Sequence, residues 1–174
     1  MQNLSSGSYN VAIGTDSLKA NTTASQNTAV GYQSLYTNTT GASLSAVGVG
    51  ALYANTTGSN NVAMGTSSLV SNTTGASNTG LGRDALRSNT TASNNTAVGY
   101  LALTANTTAD YNTAVGGNSL RANTTGHTNS SFGQDAMRFN STGASNVAVG
   151  QQALHNNTTA SNNTAMGYRA SHDN

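Results

Sequence analysis

The sequence predicts an all-β chain, a β-solenoid or parallel β-roll of about ten 17-residue coils. Three observations carry this reading. Gly14, Gly31, Gly48, Gly65, Gly82, Gly99, Gly116, Gly133, Gly150 and Gly167 are each seventeen residues apart, with no insertion. Asn keeps the same beat from Asn21 and Asn38 to Asn174, and Leu keeps it from Leu18 to Leu154, with Met137 in one place and Ser171 breaking the column. The residues between are Asn, Thr, Ser, Gly, Ala and Val, which favour strands and tight turns over helix. A fixed period of this size marks a stacked architecture in which no unit buries its apolar face alone.

The unit reads Asn-[Thr/Val]-Ala-[Val/Ile/Met]-Gly, two variable residues, [Ser/Ala]-Leu, two variable residues, then Asn-Thr-Thr-[Gly/Ala]. Its Val- and Thr-bearing start predicts a short strand, and Gly a turn after it. Coils at the strand spacing of ~4.8 Å make a rod roughly 48 Å long. Residues 1–174 read as a single repeat domain. Residues 1–7 are a partial N-terminal coil, 8–160 nine full repeats and 161–174 a partial C-terminal repeat. Met1 falls in the Leu column, "LSSG" at 4–7 imitates "NTTG", and Asn174 falls at the constant Asn. Open ends of this kind expose unpaired edges, so we expect either a piece of a longer fibre or end-to-end stacking into a filament.

Val, Leu, Ile and Phe make up only 25 of 174 residues, yet the net charge is +1. Low hydrophobicity without high charge, together with strict repetition, favours order over disorder. In-register stacking aligns identical side chains, and Asn ladders stabilise stacked strands. The candidates are Asn21, Asn38, Asn55, Asn72, Asn89, Asn106 and Asn123. The core is thin. Each coil has two sizeable apolar residues, Val30 and Leu35 in the second, which is little against the cost of ordering seventeen residues. A second buried surface, supplied by other copies, is expected. In Thr28-Ala29-Val30 the alternation of a strand lets Val30 point into the coil and Ala29 face a neighbour closely.

Several function classes find no support. Without Cys there is no disulfide or thiolate metal site, and the absence of Pro suits uninterrupted ladders. No apolar run approaches membrane-spanning length. The opening "MQNLSSGSYN" has no basic start and no apolar stretch of a secretory signal. Balanced charge speaks against nucleic acid. His127, His155 and His172 read as lying in different columns or distant coils, with no metal-ligand spacing and no triad with the five acids. The repeated Gly are turn residues, because a phosphate loop needs a following helix and Lys. The chain therefore reads as non-enzymatic, with no cofactor and no metal.

The motifs "NTAVG", "SL" and "NTTG" resemble the repeats of tail-fibre-type proteins of phages and bacteria. "YNVAIG" at 9–14 and "NNVAMG" at 61–66 are similar to the head repeats of trimeric autotransporter adhesins, although this unit is longer. The resemblance spans essentially the whole chain. It implies a homotrimeric, left-handed parallel β-roll, a role in attachment, and a place outside the cell or on a virion surface.

Three columns vary between repeats, and they hold all six Lys and Arg and five of the seven Tyr. They tolerate different sizes and charges, so they are expected to face solvent along one edge. The candidate recognition residues there are Tyr32, Tyr36, Tyr53, Arg83, Arg87, Tyr100, Arg121, Arg138 and Tyr168. Tyr and Arg anchor interfaces, and Tyr stacks on sugar rings; the same residues also keep a rod soluble and cap its apolar interior. The expected target is a cell-surface receptor or carbohydrate. Two further readings attach to the Asn-Thr-Thr segments. They match the glycosylation acceptor pattern, and Asn21 with Thr23, repeated along a face, reads as a flat array of the ice-binding kind.

Overall fold

A computed structural model of the chain describes residues 6–173; Met1 to Ser5 and Asn174 lie outside the described residues. Ten strands of three residues each follow one another: β1 (Val11–Ile13), β2 (Thr28–Val30), β3 (Ser45–Val47), β4 (Val62–Met64), β5 (Thr79–Leu81), β6 (Thr96–Val98), β7 (Thr113–Val115), β8 (Ser130–Phe132), β9 (Val147–Val149) and β10 (Thr164–Met166). They form one sheet in chain order. All pairs are parallel and register is one period, as in Ala12 opposite Ala29 and Ala97 opposite Ala114. The molecule is a β-solenoid with one coil per seventeen residues.

The strand is a small part of each coil. The rest is turn backbone, held to the next coil by its own hydrogen bonds. In the second coil the Leu35, Thr37 and Thr39 amides donate to the Ala51, Tyr53 and Thr56 carbonyls at 3.0, 3.1 and 3.0 Å. The chain bends by entering the left-handed region four times per coil. In the sixth coil the sites are Gly99 (φ 135°), Leu101 (57°), Leu103 (51°) and Tyr111 (60°). The first of these explains the invariant Gly. A Cβ on Gly99 would lie 2.6 Å from the Gly116 carbonyl oxygen, at a φ that side chains rarely adopt.

The two sides of each strand are the reverse of what the alternation argument expected. Ala29, Ala46, Ala63, Ala97, Ala114 and Ala148 are fully buried, whereas Val30 and Val98 are half-buried and Ile13, Met64, Leu81 and Phe132 exposed on the outer face. The reason is room. The interior behind the strand holds the Leu column, buried from Leu18 to Leu154, and the Ser/Ala column, whose Ser34 Oγ donates to the Ala46 carbonyl at 3.0 Å. At Gly80 an added Cβ would already lie 2.5 Å from Ser68 Oγ and 3.5 Å from Leu69 Cδ1. A methyl fills that side of the strand and an isopropyl does not fit.

The Asn column runs through the interior. From Asn38 to Asn157 each Asn donates from Nδ2 to Oδ1 of the Asn one coil before and to the carbonyl three residues ahead. For Asn89 these are Asn72 Oδ1 at 2.9 Å and the Ala92 carbonyl at 3.0 Å. Asn21, Asn38, Asn55, Asn72, Asn89, Asn106 and Asn123 are all fully buried. A second, parallel Asn column sits just before the strands, from Asn10 and Asn27 to Asn163. There the backbone amide of one Asn donates to Oδ1 of the Asn before it, as Asn129 does to Asn112 at 2.9 Å, while Nδ2 reaches a carbonyl fourteen residues on. The two columns meet on shared acceptors. The Gly143 carbonyl takes Nδ2 of Asn140 at 2.9 Å and of Asn129 at 2.8 Å, so both its lone pairs are used. Leu44 takes the place of Asn in the second column and is buried there.

Candidate functional site

The nine predicted recognition residues lie on the turn that follows each strand. Tyr32, Arg83, Tyr100 and Tyr168 stand in the column just after the Gly; Tyr36, Tyr53, Arg87, Arg121 and Arg138 stand in the column just after the Leu. Between the two columns the chain dips inward through a buried Ser or Ala and the buried Leu. The dip is made by two left-handed residues, such as Gln33 (φ 54°) before it and Leu35 (φ 53°) within it. The two columns are therefore the rims of one turn.

Contacts along this edge run between coils. The Tyr36 and Tyr53 rings stack with centroids 5.0 Å apart and planes within 7°. Lys19 extends the stack, its Nζ 5.2 Å from the Tyr36 centroid and 3.1 Å from Asp16. Asp16, by hydrogen bonding, and then Tyr36 raise the Lys19 pKa from its ordinary value. Arg83 lies over the Tyr100 ring at 5.9 Å. Asp84 joins the two rims, its carboxylate 3.2 Å from Arg83 Nε and 3.7 Å from Arg87 Nε. Arg121 and Arg138 lie one coil apart beside a groove of about 460 Å³ that Thr104 and Phe139 also line. Arg138 is held by Asp135 at 3.3 Å, and its guanidinium is 5.3 Å from the Phe139 ring. Tyr168 is 69% exposed and stands apart from these clusters. Seven of the nine residues thus fall in three local groups rather than one continuous surface, Lys19–Tyr36–Tyr53, Arg83–Arg87–Tyr100 and Arg121–Arg138–Phe139, and Tyr32, like Tyr168, belongs to none of them.

Two sequence readings change on inspection. His155 and His172 are neighbours in one column, with rings 4.8 Å apart and 4° from parallel. Asp173 approaches His172 Nδ1 at 2.6 Å, and that bond lowers the Asp173 pKa. Among the described residues no three His, Cys, Asp or Glu gather as metal ligands. The Asn-x-Thr array does not form as a surface either. Asn21 and its copies point inward and the Thr23 column is exposed, while Thr39 and Thr56 donate their hydroxyls to the next coil's carbonyl at 3.1 Å. A buried Asn amide that donates two hydrogen bonds is also closed to glycosylation in the folded chain.

Two surfaces escaped the sequence reading. One is the outer face of the sheet. There Ile13, Val30, Val47, Met64, Leu81, Val98, Val115, Phe132, Val149 and Met166 form a single apolar row along the rod. The other is the loop before each strand, where Asp110, Tyr111, His127 and Thr128 depart from the repeat. The first was legible as a column whose side chains change size, the second as two consecutive triplets with the wrong letters. Among the described residues no helix is long and apolar enough to cross a membrane. No family model matches the chain, and neither curated proteins nor solved structures yield a significant match.

Proposed function

We propose that the chain is a non-enzymatic structural and attachment protein, a segment of a trimeric fibre at a virion or cell surface. The observation that carries this reading is the apolar row on the outer sheet face. It extends from Ile13 to Met166, with Ile13 60%, Met64 43%, Leu81 43% and Phe132 41% exposed. Soluble monomers rarely leave so long a contiguous apolar strip in water. The strip is one side chain wide, which suits three copies that each turn it toward a common axis. Burial there supplies the apolar surface that a core of one Leu and several Ala per coil lacks. The varied rims, with their Tyr and Arg, then face outward and meet the cell-surface or glycan target.

Light scattering on the purified chain tests the assembly. A particle of three chains is expected, and the double variant Val98→Asp/Val115→Asp is expected to dissociate it while the circular dichroism of the coils persists. A wild-type chain that stays folded and monomeric at every concentration would overturn the reading.

A further inference from the structure

The loop that closes each coil ends in a triplet of two small residues and a left-handed third. Examples are Ala24-Ser25-Gln26, Gly58-Ser59-Asn60 and Ala92-Ser93-Asn94. Two consecutive coils depart from it, with Ala109-Asp110-Tyr111 and Gly126-His127-Thr128. The backbone does not change to accommodate them: φ is 60° at Asn94, 60° at Tyr111 and 59° at Thr128. Asn suits this conformation. A bulky Tyr or a β-branched Thr is strained there, at about 1–3 kcal/mol.

The departures also converge. Asp110, Tyr111 and His127, with Thr108, Thr125 and Thr128, surround a depression of about 420 Å³. Tyr111 is 62% exposed, so its ring is open to a ligand. Asp110 is half-buried and held by the Ser93 amide, which donates to its Oδ1 at 2.6 Å and leaves Oδ2 for a ligand. His127 Nδ1 meets Thr128 Oγ1 at 3.2 Å, which leaves Nε2 for another. Tyr9 occupies the same column as Tyr111, but its neighbours there are Ser8 and Ser25.

We propose that this depression binds a neutral pyranose ring of a glycan. The Tyr111 ring lies under the apolar C–H face of the sugar. Asp110 accepts hydrogen bonds from adjacent sugar hydroxyls, and His127 and the Thr hydroxyls bond the others. Charge decides the class. The lining has a carboxylate and no Lys or Arg, so it opposes sialylated, uronic or sulfated sugars. The Arg121–Arg138 groove has the opposite sign and suits those instead. The proposal deepens the attachment reading and rests on it.

An array of neutral hexose and N-acetylhexosamine glycosides, printed beside sialylated and sulfated ones, tests it with the full chain. Retention on neutral glycosides is expected. Tyr111→Asn should lower that retention at least tenfold while the melting temperature stays level or rises, because Asn relieves the strained backbone. Asp110→Ser should lose binding equally. Failure to retain any neutral glycoside, or full binding by Tyr111→Asn, would overturn the site. Retention only on acidic glycans, lost in Arg121→Ser and unchanged in Tyr111→Asn, would also overturn it but would leave the attachment reading standing. A folded monomer in the light-scattering test would instead remove the attachment reading, whatever the array shows.

Discussion

The two walls of each strand make the most instructive comparison in this molecule. On the inner wall stand Ala12, Ala29, Ala46, Ala63, Gly80, Ala97, Ala114, Ser131, Ala148 and Ala165, none larger than Ser or Ala. On the outer wall stand Ile13, Val30, Val47, Met64, Leu81, Val98, Val115, Phe132, Val149 and Met166. The more apolar wall is the outer one. Ala97 is fully buried and Val98 half-buried, because stacked coils repeat the same interior cross-section and so fix the volume of every inward side chain. A column that runs from Val to Met to Phe cannot belong to that interior. Uniform size, rather than hydrophobicity, marks the inside of a stacked rod.

Changes that force the backbone should damage this arrangement most. Gly99→Ala puts a Cβ against the Gly116 carbonyl at a φ of 135°, and we expect a loss of roughly 4 kcal/mol or outright failure to fold. Denaturant unfolding of the variant measures it. Next comes the polar interior. Asn89→Ala removes the donor to Asn72 Oδ1 and the acceptor that Asn106 Nδ2 uses at 3.0 Å. Leaving those buried groups unpaired should cost about 3 kcal/mol, read as a shift in the urea midpoint with an unchanged slope. The paired test of the walls is smaller and more pointed. Ala97→Val overpacks the inner wall and should cost about 2 kcal/mol. Val98→Ala on the outer wall should change the stability of the dissociated chain by less than about 0.5 kcal/mol yet raise the concentration at which copies separate. Equal effects from the two would mean that the walls are not distinct.

The stacking was open to reading because seventeen is repeated without error, and a solenoid is the structure that a β-rich exact repeat permits. The invariant Gly and the Asn21 column were legible for the same reason. Other features were hidden. Leu is a common core residue, and nothing in its name shows that Leu35 or Leu103 takes a left-handed backbone while fully buried. That conformation is imposed by the stack of neighbouring coils. The second Asn column was masked by its neighbour in the unit: Asn27 precedes a strand and reads as turn chemistry, although it is as buried as Asn21. Orientation of the strand misled because period-two alternation states that Ala29 and Val30 face opposite ways without stating which way is in. The three varied columns could be placed on the turn after each strand, but the grouping of their side chains depends on contacts such as Asp84 between Arg83 and Arg87, which no single column contains.

Methionine oxidation tests the orientation of the walls most directly, since the chain supplies its own probes. Met64 and Met166 stand on the outer wall, 43% and 71% exposed, and Met137 is fully buried in the Leu column. Under dilute peroxide, with mass spectrometry on the peptides, Met166 should react first. Met64 should follow, while Met137 should resist until the rod unfolds globally. Oxidation of Met137 in the native rod ahead of Met166 and Met64 would contradict the assignment of inside and outside.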